Sequence, residues 1–171
     1  MALFPRRAAL PDAVRSTLEL LPRERVLASA QLTDGWAVAT THRLHVLPAE
    51  DGATPVRRPW VDVSAGRLEA DDAVLKVSWV DGGPDARLQL ADDRSMEFPR
   101  VFRQCVDSSL VHYETVPLDR GRSVRVALRR DPVDGMLTQV IGTGDVDLDD
   151  PATAAAVDAA ELRVRDAAGL L

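Results

Sequence analysis

The stretch "LTDGWAVATTHRLHVL", residues 32–47, decides how the chain is read. Asp34-Gly35 is a dipeptide favoured in two-residue hairpin loops, where the central positions need backbone angles that most side chains resist. "WAVAT" returns from that turn, "THR" turns again, and Leu44 and Val46 then alternate with Arg43, His45 and Leu47. A period of two is the mark of a strand with distinct faces. The stretch is therefore the second and third strands of an antiparallel meander.

It also holds two of the three histidines, His42 and His45. A strand sends residues i and i+2 to one side. An i, i+3 pair diverges, and a zinc site needs three or four convergent ligands. With no acidic or cysteine residue close by in sequence, His42 is read as a turn residue and His45 as a solvated edge residue on the face of Arg43.

Outward from this stretch the meander continues. "PDAVRSTLELLP" at 11–22 has Val14, Leu18 and Leu21 at helical spacing between two prolines. "ERVLASAQL" at 24–32 places Val26, Ala28, Ala30 and Leu32 on one face. Downstream, "PWVDVSAGRLEA", "AVLKVSWV" (Leu75, Val77 and Trp79 against Lys76 and Ser78) and "ARLQLA" are further strands, and "DDRSMEF" leads into a short last one. At Pro99 the period changes. Phe102, Cys105/Val106, Ser109 and Tyr113 recur at helical spacing, which predicts a helix over 99–113 burying Phe102, Val106 and Tyr113.

After "PLDRG" the alternation restarts. "RSVRVALRR" and "MLTQVIGTG" form a hairpin around "DPVDG", and Asp150 caps a helix that opens at Pro151 and stops at Gly169. A lone two-stranded hairpin is marginal in water and an alanine-striped helix buries little per residue. Residues 118–171 are therefore expected to need cover, with the 122–130 strand augmenting an open edge of the meander or pairing in trans as a homodimer.

Composition narrows the function classes. The 171 residues are 46% apolar and 28% charged, with a net charge of −6, which argues against a whole-surface fit to nucleic acid or anionic lipid. One lysine, Lys76, stands against twenty arginines, and aspartate heavily outnumbers glutamate, as a GC-rich bacterial genome would give. The single cysteine, Cys105, excludes an intrachain disulfide and a cysteine metal cluster. The first residues carry an arginine pair, but Asp12, Arg15 and Glu19 break any apolar run, so no signal peptide or twin-arginine leader fits. No window reaches the length of a transmembrane helix. A cytoplasmic protein is expected.

"VLASAQLTDGWAVATTHRLHVL", "RRPWVDV" and "FPRVFRQCVDSSL" together resemble the bacterial pleckstrin-homology-like proteins over residues 24–114. In those a strand ends in a T-x-R-L corner, here Thr41, Arg43 and Leu44, a Pro-Trp strand follows, here Pro59 and Trp60, and a helix plugs the barrel. The resemblance implies an antiparallel barrel of about seven strands capped by a helix, serving as a binding or scaffolding module. The lipid-binding branch of that superfold holds inositol phosphates with Lys and Arg around the first hairpin. That hairpin is "QLTDGWA" here, with no basic residue and one acid. No phosphoinositide binding is expected.

Other constellations lack their chemistry. "DVDLDD" at 145–150 has Asp150 and Ala156 where a calcium loop needs glycine and glutamate. Ser108 and His112, or Cys105 and His112, share helical spacing without a third group to orient a base. No glycine spacing cradles a phosphate. The one basic concentration is "RGRSVRVALRR", with Arg120, Arg122, Arg125, Arg129 and Arg130, and no aromatic residue is interleaved with it. It is the candidate contact for an anion or a partner.

The expectation is an α+β protein: residues 1–117 an N-terminal helix and a helix-capped pleckstrin-homology-like barrel, residues 118–171 a hairpin and helix packed on it. The expected role is a non-catalytic protein-interaction or scaffolding module, through a protein partner or self-association, with no cofactor and no metal. The competing expectation is a small anion-binding protein or enzyme using the strand at 120–130.

Overall fold

The computed structural model describes residues 10–50, 52–142 and 146–170. The protein is α+β, with three antiparallel sheets and few helices, and divides into two compact units, residues 1–105 and 106–171. The division falls twelve residues before the expected one at 117/118. No helix among the described residues is long and apolar enough to cross a membrane.

In the first unit a short helix, α1 (Asp12–Ser16), precedes seven strands. β1 (Val26–Leu32), β2 (Gly35–Thr40), β3 (Arg43–Pro48) and β4 (Val56–Pro59) pair in that order, and β5 (Val63–Glu69), β6 (Val74–Trp79) and β7 (Ala86–Gln89) form a second sheet. The strands expected as one barrel are thus split between two sheets, and no closed barrel forms among the described residues. The sheets meet at one corner, where Leu32 bridges to Leu90, Thr33 N–H donates to Gln89 O (3.0 Å) and Ala91 N–H donates to Gln31 O (2.9 Å). Gly35 opens β2 because a side chain there would run into the Leu47 carbonyl of β3.

The alternation read from the sequence gives β6 its buried Leu75, Val77 and Trp79. Trp60 instead opens a 3-10 turn (Trp60–Asp62), not a strand, and its Nε1–H donates to Thr40 O at 2.9 Å. Helix α2 runs Glu97–Ser109, so no strand precedes it at 92–98. It buries Phe98 and Phe102, and the Phe102 ring stands edge-on to Trp60, with centroids 5.6 Å apart.

The outer face of the first sheet is also covered. Trp36, Val38 and Thr40 of β2 lie beside Leu47, His45 and Arg43 of β3, and β4 places Arg57 opposite His45. Leu10 and Leu18 are buried against Val38 and Leu47, with Val14, Val26 and Trp36 at the margin. Val26 was expected on one face with Ala28. A β-bulge between Val26 and Ala28 turns it outward instead, leaving the bulged Leu27 47% exposed. The N-terminal helix is shorter than the predicted 11–22, and Leu21 beyond it is exposed.

In the second unit β8 (Leu110–Pro117), β9 (Ser123–Asp131) and β10 (Gly135–Gly142) form a sheet in the order β10-β9-β8. The predicted 99–113 helix ends at Ser109, and Tyr113 lies on β8, half exposed rather than buried, while Val106 is half-buried. The hairpin therefore gains a third strand. β9 is central, paired on both sides, so it cannot augment another sheet edge. Helix α3 (Pro151–Ala167) covers one face, with Val157, Ala160 and Val164 against Val116, Val124, Val126 and Leu128. Burying each such valine or leucine contributes about 1.5–3 kcal/mol. The alanine stripe admits close approach of helix to sheet, and the two apolar faces expected to need a barrel cover each other. The helix ends were legible. Asp150 accepts from Thr153 N–H (2.9 Å), and Gly169 sits at φ 69° with Leu170 N–H donating back to Arg165 O (3.0 Å).

Candidate functional site

The densest polar cluster lies on the outer face of the first sheet, around a residue that sequence reading did not single out. Glu24, just before β1, is 6% exposed. Arg43 grips it with two hydrogen bonds, Nε to Oε1 and Nη2 to Oε2, both 3.1 Å. Thr40 Oγ1–H donates to Oε1 at 2.6 Å, Leu21 N–H donates to Oε2 at 2.7 Å, and His45 Nε2 lies 3.2 Å from Oε1. Burial alone would push the carboxyl up. The donors from Arg43, Thr40, Leu21 and His45 outweigh it and hold Glu24 at about 2.

His45 is fully buried on β3, which is an interior strand of its sheet. The reading of it as a solvated edge residue is corrected: residues 10–24 cover its face, a contact invisible in the local pattern. A carboxylate only accepts, so Nε2 carries the proton toward Glu24 and Nδ1 is left as a lone pair with no hydrogen-bond partner among the described residues. Burial pushes the imidazole below its ordinary value, and Arg43 and Arg57 add to the effect against the opposing pull of Glu24. His42 stays in the turn, half-buried, with Nδ1 2.8 Å from Thr41 Oγ1. The two imidazoles do not converge. Among the described residues no group of three or more His, Cys, Asp and Glu is arranged to hold a metal ion.

The arginines of 120–130 are dispersed rather than gathered. Arg125 is exposed and stacks over Tyr113 of β8, its guanidinium carbon 5.0 Å from the ring centroid. Arg129 projects from the same face of β9 but is 3% exposed, with Nη1 donating to Ser109 Oγ at 2.7 Å. Arg130 is exposed on the opposite face. Arg122 follows a further 3-10 turn (Asp119–Gly121) and turns back on it, Nε donating to Asp119 O at 3.2 Å. The side chain of Arg120 lies outside the described residues. Tyr113, which was assigned to a helical core, is thus the aromatic partner that the basic strand was thought to lack. It arrives from the neighbouring strand, and the residues Val111, Tyr113, Thr115 and Val116 were the β-forming signal for it.

The remaining candidates separate. Ser108 lies in the last turn of α2 while His112 lies exposed on β8, so neither Ser108 nor Cys105 shares a helix face with it. Burial pushes the Cys105 thiol up to about 11, which leaves it almost wholly protonated at neutral pH. Of the acidic run at 145–150, Asp145 lies outside the described residues, Asp147 accepts from Asp149 N–H (2.9 Å) and Asp150 caps α3. Compared with models of known protein families, with curated proteins and with solved structures, the chain matches none.

Proposed function

We propose that the protein is a non-catalytic interaction module whose partner-binding surface is the Tyr113–Arg125 pair on the second unit. One observation carries the reading. Tyr113 is 50% exposed on β8, a terminal strand, and holds an exposed arginine 5.0 Å above its ring. Tyrosine and arginine carry a disproportionate share of binding energy at protein interfaces. Stacking also restricts the guanidinium before a partner arrives, which lowers the entropy lost on binding. Beside the pair, β8 has a strand on one side only, so its outer backbone groups suit an added strand.

We further propose a pleckstrin-homology-like framework for the first unit and a cytoplasmic setting. The successive four- and three-stranded antiparallel sheets, their corner at Leu32 and Leu90, and the helix after β7 support the framework. The lone free thiol of Cys105 accords with a reducing compartment.

The test uses the full chain as bait, identification of a stoichiometric partner or of self-association by sedimentation, and affinity measurement with purified components. Tyr113→Ala and Arg125→Ala each weaken binding at least tenfold, while Leu162→Ala, at a position 57% exposed on α3, leaves it unchanged. Binding that survives both substitutions rejects this surface.

A further inference from the structure

Residues 10–24 cross the outer face of the first sheet as a strap held at two places. The apolar hold is Leu10 and Leu18 against Val38 and Leu47. The polar hold is Glu24 in the cluster of Thr40, Arg43 and His45, with Arg43 Nη2 also donating to Glu19 O at 2.8 Å. Between the holds the strap has little of its own. Helix α1 has five residues, none buried, and no side-chain N-cap. Arg23, next to Glu24, takes a left-handed φ of 66°, a conformation costly for a residue with a Cβ.

The groups that face His45 are Glu24 from the strap, Arg43 from its own strand, Arg57 from β4, and the neutral Thr40 hydroxyl from β2 through Glu24. Glu19 of the strap pairs with Arg57 at 3.2 Å but is largely in solvent. With His45 neutral, Glu24 is bound by the Arg43 guanidinium, and Arg43 and Arg57 both act on the imidazole. An imidazolium would be repelled by both guanidiniums, and its new Nδ1–H would find no acceptor among the described residues.

We propose that residues 10–24 are an acid-opened latch: protonation of His45 at Nδ1 releases the strap and uncovers Trp36, Val38, Leu47 and the Arg43–Arg57 pair. The sign follows from linkage. Burial lowers the imidazole below its ordinary 6.5 in the closed state, so the open state binds the proton more readily. Closure is unaffected above that value and weakens as pH falls through it. Between pH 7.5 and 5.5 the opening constant rises, by at most about tenfold for one proton. Glu24, at about 2 when closed and 4.5 as the ordinary value, stays ionised in both states over that interval and contributes nothing to the change.

The experiment is hydrogen exchange by mass spectrometry on the full chain at pH 7.5 and 5.5, corrected for intrinsic rates. In the wild type, peptides covering 10–24 exchange several-fold faster at the lower pH, up to about tenfold, while β5–β7 do not change. In His45→Gln, whose side-chain amide still donates to Glu24 but does not titrate, the strap shows no pH step. A wild-type strap without the step, the same step in His45→Gln, or a step shared by β5–β7 overturns the proposal. An NMR titration of the wild-type imidazole stands independently of the variant's folding: a His45 midpoint at or above 6.5 also overturns it.

Discussion

Replacing Glu24 by glutamine keeps the shape of the side chain and removes its charge. Glu24 is 6% exposed and titrates at about 2 instead of 4.5, so its ionised form favours the folded state by 2.5 pKa units. At 1.36 kcal/mol per unit this is about 3 kcal/mol at pH 7. A carboxyl depressed in the folded state stabilises above its unfolded value and loses that contribution as pH falls through the folded one. By pH 3 the cost of Glu24→Gln therefore shrinks to less than half of that. Trp36, Trp60 and Trp79 all lie in the first unit, so tryptophan emission during urea unfolding reports that unit alone. With a urea dependence of about 1.5 kcal/mol per molar, the midpoint at pH 7 falls by about 2 M. A loss below about 1 kcal/mol at pH 7, or one that does not shrink toward pH 3, would mean that the arginine grip does not offset the burial of the carboxylate.

Two further outcomes follow from the packing and the thiol. Ala160 is fully buried between α3 and its sheet, so Ala160→Leu overpacks that contact and destabilises the second unit by about 1–3 kcal/mol, read from exchange of the β9 amides; a change within about 0.5 kcal/mol contradicts the close approach. Cys105, held at about 11, reacts with iodoacetamide at pH 8 about 200-fold more slowly than an exposed thiol titrating at 8.5, and labelling at the rate of a free thiol refutes its burial.

Short-range signals were legible where local chemistry decides the outcome. Asp34-Gly35, the alternation of β6 and the cap at Asp150 with its stop at Gly169 each need only neighbours in sequence. The same alternation correctly grouped Arg43, His45 and Leu47 on one face, but whether that face meets water depends on Leu18, more than twenty residues away. Glu24 carried no signal at all, because its side-chain partners are 16 to 21 residues downstream. The end of α2 was misplaced because Ser109 and Tyr113 satisfy a helical period and Tyr113 and Thr115 a strand period in the same stretch. Pairing with β9 settled it, and that strand is distant in sequence. The dispersal of the arginines has the same origin: alternation separates Arg130 from Arg129, but only the fold submerges Arg129 and leaves Arg125 at the surface.

The bulge at Leu27 gives β1 two phases. From Ala28 onward the strand faces the interior of the first unit, whereas Val26 belongs to the layer under the strap. One surplus residue thus acts as a frame shift between two cores, each reading the strand in its own phase. Deleting Leu27 would not simply shorten a strand; it would force one frame on both, exchanging Val26 for Arg25 at the strap or displacing every residue from Ala28 to Leu32. The register of β1 is specified from both sides, and slippage that would satisfy one core is refused by the other.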